Sequence, residues 1–192
     1  MRKASLLFGV MVIAQWLLPW WTIRDSERIL REGTAFKFRT APIDPHDPFR
    51  GEYVTLQFDL EAQDLRREHD PHAVGDVVCV VLAEVNGEAA IDRVLREAPA
   101  NGGSHLMCEV AYVPYDDSTL FRIDLPFDRF YLEEGSGRRT EELIDQRRVE
   151  TGPELPAYAV VRVLDGRGVI EDLIVGDRSI HDWLKENPEA SP

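Results

Sequence analysis

The chain opens with a long apolar run and then changes to short segments in which apolar and polar residues alternate. Arg2 and Lys3 precede the run Ala4–Ile23, which is interrupted only by Ser5, Gln15, Pro19 and Thr22. A helix rises about 1.5 Å per residue, so about 20 residues cross the roughly 30 Å hydrocarbon layer of a bilayer. The run therefore predicts an N-terminal membrane-spanning helix at residues 1–23.

Both ends of this run carry residues that are typical of a membrane anchor. Trp16, Trp20 and Trp21 gather at its far end like an interfacial aromatic belt, and the basic pair at its start favours a cytoplasmic N-terminus. A cleaved signal peptide would need small residues before the cut, whereas this run ends in Leu-Leu-Pro-Trp-Trp. The tryptophan cluster also disfavours a buried core helix. We predict a retained single-pass anchor in the cytoplasmic (inner) membrane, with an extracytoplasmic, periplasmic C-terminal domain.

The pattern after the anchor predicts a mainly β (α+β) fold, with one compact antiparallel β-rich domain and one or two short helices. Residues 24–33 have helical composition as far as Gly33, a natural helix end, and are interpreted as a helical stalk. The β-rich domain is placed at residues 34–186 and a flexible tail at residues 187–192. Strands are expected at Thr34–Ile43, Glu52–Leu60, Gly75–Val85, Ala89–Arg96, Leu106–Val113, Thr119–Ile123, Phe127–Leu132, Tyr158–Leu164 and Val169–Val175.

Turn signals and three polar segments complete the expected order of elements. Asn86–Gly87 is the strongest short hairpin signal in the chain and joins two of the predicted strands. Asp165–Gly168 predicts the loop of a second hairpin. Thr140–Arg148 and Ser179–Lys185 are expected to be short helices, and Ala62–His72 is expected to be a loop or a short helix.

Composition narrows the classes of function. The chain has 35 acidic and 22 basic residues and a formal net charge of -13, which repels phosphate backbones, so no nucleic-acid partner is predicted. No Gly-rich phosphate loop is present, and no cofactor is predicted. Cys79 and Cys108 both lie in predicted strands, where either buried free thiols or a disulfide would fit.

Two segments carry a resemblance to a known family. The stretch Pro42–Phe58 reads Pro-Ile-Asp-Pro-His-Asp-Pro-Phe-Arg-Gly-Glu-Tyr-Val-Thr-Leu-Gln-Phe and resembles the signature of the GDYXXLXY family. Asp128–Gly135 is similar to the family's second, aromatic-acidic segment. Glu52 stands where the motif has Asp, and Phe58 stands where it has the final Tyr. The resemblance implies a bacterial protein with an N-terminal membrane anchor, suggests a multi-spanning membrane protein as partner, and implies no established activity.

The motif loop is the strongest candidate binding site. Loops that combine Asp, His, Arg and Tyr are typical of ligand sites. A structural role also fits and is favoured, because the aspartates suit Asx turns, the glycine suits a tight junction, and Leu56 and Phe58 are expected to face the core. The candidate residues are Asp44, His46, Asp47, Arg50, Gly51, Glu52 and Tyr53.

Other candidate chemistries lack a complete set of residues. The acids and histidine of the motif loop, together with His69–His72, would offer metal ligands, but their spacing matches no established metal motif. Beyond the anchor the lysines are Lys37 and Lys185, and neither accompanies a serine segment suited to a Ser/Lys protease. A Ser-His-Asp triad is not supported either. The acids of Glu133–Glu142 suit a turn and a helix start better than paired catalytic carboxylates.

Two functional hypotheses remain. The favoured one is a membrane-anchored extracytoplasmic domain that binds or assembles with another membrane or envelope protein; catalysis is disfavoured because no complete set of catalytic residues is seen. The alternative is a small-ligand-binding or hydrolytic enzyme whose site lies on the loop Asp44–Tyr53.

Overall fold

The computed structural model describes residues 2–40, 53–66, 72–100, 102–115, 120–132, 136 and 156–186. For residues 2–7, 9, 10, 13, 14, 18 and 54 the description covers the backbone alone. The helix predicted at Thr140–Arg148 and the tail at 187–192 lie outside the described residues.

A single helix, α1, runs from Arg2 to Glu32. It ends where the sequence predicted, but Gly33 is not among the glycines with positive φ. Glycine is required there for close packing instead, because an added Cβ would lie 2.5 Å from the Ile29 carbonyl oxygen and 3.1 Å from the backbone N and O of Val163. In the portion of the chain that the structure describes, no helix is both long enough and apolar enough to cross a membrane.

The rest of the described chain is mainly β, and every pairing between these strands is antiparallel, which confirms the predicted antiparallel β-rich domain. One isolated bridge, between Leu106 and Gly166, is parallel. A short helix, α2, spans Ile180–Glu186, and the Ser179 hydroxyl caps it by accepting the Asp182 N–H at 3.2 Å. The strands are β1 Thr34–Thr40, β2 Tyr53–Thr55, β3 Leu65–Arg66, β4 Val77–Val85, β5 Glu88–Leu95, β6 His105–Tyr112, β7 Leu120–Asp124, β8 Arg129–Tyr131, β9 Ala157–Leu164, β10 Arg167–Val175 and β11 Arg178–Ser179.

Two sheets enclose the core, and a small ribbon adjoins them. One sheet has the order β1-β9-β10-β11 and the other β3-β7-β6-β4-β5, while β2 and β8 pair with each other. Alternate residues of each sheet turn inward and form one apolar cluster between them, because successive strand residues point to opposite faces. Its largest fully buried members include Phe38, Phe121, Leu106, Ile123 and Leu173.

Both predicted hairpins are present, and each has a two-residue turn. Asn86 and Gly87 join β4 to β5 with φ of 54° and 84°, as a type I′ turn requires. The second turn is tighter than predicted, because Leu164 already pairs with Arg167. Only two residues, Asp165 and Gly166, therefore form it, with φ of 50° and 82°.

The two cysteines are buried free thiols on neighbouring strands. Cys108 of β6 pairs with Val78 of β4 and points into the core with it, whereas Cys79 pairs with Met107. Residues opposite each other share a face and adjacent residues do not, so the two sulfurs lie on opposite faces of the sheet. Burial raises the pKa of both thiols, that of Cys108 to about 12.

Candidate functional site

The structure describes one of the seven candidate site residues. Tyr53 begins β2, and Thr40, at the end of β1, is the last described residue before the motif loop. The Oγ1 atom of Thr40 is buried and has no hydrogen-bond partner in the described structure. The candidates outside the described residues are Asp44, His46, Asp47, Arg50, Gly51 and Glu52.

The two segments that carry the family resemblance pair with each other. Strand β2 comes from the first and β8 from the second, with Tyr53 opposite Tyr131 and Thr55 opposite Arg129. We call these six residues, Tyr53–Thr55 and Arg129–Tyr131, the motif ribbon. The Leu56 N–H extends it by donating to the Asp128 carbonyl at 2.7 Å. Local sequence patterns cannot predict a contact between two segments that lie so far apart in the chain.

One face of the motif ribbon holds an aromatic and cationic group. The ring centroids of Tyr53 and Tyr131 are 6.0 Å apart, and the Arg129 guanidinium carbon lies 5.3 Å from the centre of the Tyr53 ring. The pKa of Arg129 is raised by its hydrogen bond with Tyr131, by the charge of Asp128 and by Tyr53. Tyr131 is 69% exposed, so this face meets solvent.

The other side of the motif segment enters the core. Leu56, Phe58 and Leu60 are 2%, 3% and 5% exposed, which confirms the expected core-facing alternation. The Phe58 ring makes edge-to-face contacts with Phe38 and Phe127, at centroid distances of 5.9 Å and 5.3 Å. The position where the family motif has its final Tyr is therefore a packing position in this chain.

The expected strand Glu52–Leu60 is shorter than its alternation suggested, because its backbone changes partner. Residues 53–55 pair with β8, whereas Phe58 forms a bridge with Thr40 and the Asp59 N–H donates to the Arg39 carbonyl at 3.1 Å. The chain thus crosses from the motif ribbon to β1 within a few residues. The side chains still alternate between the two faces across this change, but the backbone hydrogen bonds do not continue to a single partner strand.

Glu61 joins the motif segment to the chain that leads into β8. Its Oε2 accepts the Phe58 N–H at 3.2 Å, and its Oε1 accepts the Leu125 N–H at 2.9 Å. Burial raises the pKa of this carboxyl, the two N–H groups lower it, and the charges of Asp124 and Asp128 raise it further, with a net rise. This role of Glu61 could not be predicted from the sequence, because both partners are backbone groups.

Most of the metal and catalytic candidates lie outside the described residues. Among the described residues, no three His, Cys, Asp or Glu side chains come together as metal ligands. His72 packs its ring against Phe121 at a centroid distance of 4.9 Å, while His69, Asp70 and the acids of Glu133–Glu142 lie outside the described residues. Arg129 and Tyr131, which were not among the candidate site residues, are instead the side chains that accompany Tyr53.

Comparison with known proteins identifies the family. The family described as GDYXXLXY protein matches residues 15–173, which include both segments of the motif ribbon and most of the β domain. No curated protein and no solved structure matches the chain. Because the match covers most of the sequence, the chain belongs to the GDYXXLXY family.

Proposed function

We propose that this chain is a membrane-anchored assembly protein. The first part of α1 crosses the cytoplasmic membrane as a single span, and the β domain on the outer side binds another membrane or envelope protein, with a multi-spanning protein as the preferred partner. Catalysis has no part in this proposal.

The observation that carries the proposal is the distribution of exposed apolar side chains along α1. Trp16, Trp20 and Trp21 are 75%, 56% and 72% exposed, whereas Ile29, near the end of the same helix, is 3% exposed. Water disfavours such a row of large exposed apolar groups, and lipid does not. The apolar run Ala4–Ile23 supplies the length, and the tryptophans suit the interface at its outer end.

The partner surface that we propose is the exposed face of the motif ribbon. Tyr and Arg are the side chains most often found at the energetic centres of protein interfaces, because they bury large areas and still form polar contacts. Tyr131 and Arg129 are exposed, and the half-buried ring of Tyr53 fixes the guanidinium beside it. A partner loop with a backbone carbonyl or a carboxylate would suit this arginine.

Substitutions with a matched control test this surface. The double variant Arg129→Ala/Tyr131→Ala removes the proposed contacts, and Arg93→Ala serves as control. Arg93 lies 3.5 Å from the carboxylate of Asp92, much as Arg129 lies 3.7 Å from that of Asp128, but on β5. The tagged full-length chain is purified from native membranes in a mild detergent, and the stoichiometry of any co-purified protein is measured.

We expect a multi-spanning protein at fixed stoichiometry with the wild type and with Arg93→Ala. Affinity should fall about tenfold or more in the double variant, as the loss of about 1.4 kcal/mol of binding free energy would produce. Isolation of the wild type as a lone monomer in repeated preparations would contradict the assembly role. Equal loss of the partner in all variants would contradict the assignment of the surface.

The second candidate is a small-ligand or hydrolytic site on the loop Asp44–Tyr53. It is favoured by the cation held against Tyr53 at the end of that loop. Substitutions Asp47→Asn and Arg50→Gln, each followed by melting temperature and cellular phenotype, separate it from a structural role. Loss of phenotype with an unchanged melting curve supports a site, and loss of stability alone supports the structural role.

A further inference from the structure

The end of α1 is bound to the β domain by contacts on both strands of one hairpin. The Arg28 guanidinium lies 3.2 Å from the Asp165 carboxylate in the β9–β10 turn, and Asp25 pairs with Arg167 at the start of β10. On β9, Arg162 donates to the Gly33 carbonyl at 3.3 Å. Asp25 and Arg28 lie about one turn apart in the helix, and Gly33 directly follows its last residue.

The connection between α1 and the β domain is short and closely packed. Only Gly33 separates the last helical residue from β1, and its N–H still bonds the Ile29 carbonyl at 2.9 Å. Gly33 also lies so close to the Val163 backbone that an added Cβ would be 3.1 Å away. A flexible linker would show neither feature, so the segment predicted as a stalk lies against the domain.

The contacts begin immediately after the exposed apolar part of the helix. Trp21 and Ile23 are 72% and 59% exposed, and Asp25, two residues further on, pairs with Arg167 of the domain. Four residues of helix span about 6 Å. A headgroup layer is about 5–8 Å thick on each side of the hydrocarbon. With Trp21 at the interface, the β9–β10 turn reaches the headgroups.

Charges at this end of the domain are balanced in a chain that is otherwise strongly acidic. Asp165 is matched by Arg28 and Asp25 by Arg167, while Arg24 lies 5.4 Å from the centre of the Trp20 ring. The net charge of -13 would repel anionic lipid. Paired carboxylates remove that repulsion locally, and the arginines offer donors to lipid phosphate.

We infer that α1 is a rigid mount, which holds the β9–β10 turn against the lipid headgroups and fixes the orientation of the domain above the membrane. This inference rests on the proposed membrane anchorage. The domain therefore does not rotate relative to its anchor, and the motif ribbon keeps a constant distance from the membrane and a constant orientation to it.

Spin labels at the two ends of the β9–β10 hairpin test whether α1 holds the domain in a fixed orientation. Leu164 lies at the turn and Asp177 lies beyond the other end of β10, whose nine residues span roughly 30 Å. Single cysteines, Leu164→Cys or Asp177→Cys, are spin-labelled in a full-length Cys79→Ala/Cys108→Ala background with a checked melting curve. The chain is placed in phosphatidylethanolamine and phosphatidylglycerol vesicles that contain a nickel-chelating lipid, and relaxation of each label by headgroup nickel is measured.

The mount predicts several-fold stronger relaxation at position 164 than at 177. The double variant Arg28→Ala/Arg167→Ala, which removes two of the contacts that hold the helix, should reduce the difference between the two values while the chain still floats with the vesicles. Arg178→Ala, which removes only the far-end pair with Glu186, should leave them apart. If the parent chain floats with the vesicles but the labels at 164 and 177 relax equally, α1 does not fix the orientation of the domain, although it still anchors the chain. Failure to float overturns the anchor, and the mount with it.

Discussion

Gly168 of β10 lies directly against the ring of Phe127. A Cβ added to Gly168 would stand 2.5 Å and 2.7 Å from two ring carbons of Phe127 and 3.0 Å from a methyl group of Val161. Phe127 cannot move away easily, because its ring also contacts Phe38 at 5.4 Å and Phe58 at 5.3 Å between centroids. This glycine therefore makes room for the aromatic cluster under the motif segment.

Gly168→Ala should lower the free energy of unfolding by about 1–3 kcal/mol, because the added methyl group overpacks the core. Urea unfolding of the variant measures the loss. Gly103→Ala is the control, since an added Cβ there meets nothing within 4 Å and should change stability by less than about 0.5 kcal/mol. Equal stability of the two variants would contradict the close packing.

Thr40→Val should raise the free energy of unfolding by about 1 kcal/mol. The substitution replaces a buried, unpartnered Oγ1 with a methyl group and so removes a desolvation penalty. Thr55→Val, at an exposed position on β2, is the control and should be nearly neutral. A loss of stability in Thr40→Val would show that the hydroxyl has a partner in solution.

Glu61 should make stability depend on pH in a defined direction. Its pKa is raised in the folded protein, so the native state binds a proton more tightly than the unfolded chain does. Its contribution is therefore fully present below the unfolded pKa of about 4.3 and is lost as pH rises through the folded pKa. Glu61→Gln removes this titration.

The free energies of unfolding of wild type and Glu61→Gln, measured between about pH 4 and pH 7.5, test that direction. The wild type should lose stability relative to the variant as pH increases. A difference that is constant, or that changes in the opposite sense, would refute the raised pKa.

The cysteines should remain reduced under oxidising conditions. Their sulfurs lie on opposite faces of the sheet, and burial raises both pKa values, so little thiolate is available for exchange. Thiol titration of air-oxidised protein should detect two thiols after unfolding and almost none before. Detection of no thiols in the unfolded protein would mean that a disulfide had formed.

Local patterns predicted most of the fold. The alternation in β1, the apolar runs of β4 and β9 and the Asn86–Gly87 turn placed strands within a few residues of their observed ends. Helix α2 was expected from Ser179, and the Ser179 hydroxyl does cap it. These elements are determined by side-chain period and turn chemistry within a short window, which a single sequence displays.

The sequence did not predict which distant strands pair with each other. The ribbon between Tyr53 and Tyr131 joins segments separated by 73 residues, Leu56–Asp128, and neither segment specifies its partner. Strand β3 at Leu65–Arg66 was missed because two residues give no period to detect. The Glu61 bridge depends on backbone N–H groups, which every sequence contains. The motif loop was recognised by resemblance, and its chemistry remains a prediction.

The most direct test of membrane anchorage is extraction and protease accessibility of the full-length chain with a C-terminal tag in bacterial cells. We predict that the protein stays with the membrane after alkaline carbonate extraction. Protease added to spheroplasts should remove the tag, while a cytoplasmic marker survives. Release into the soluble fraction, or a tag that is protected until the cells are lysed, would contradict the account.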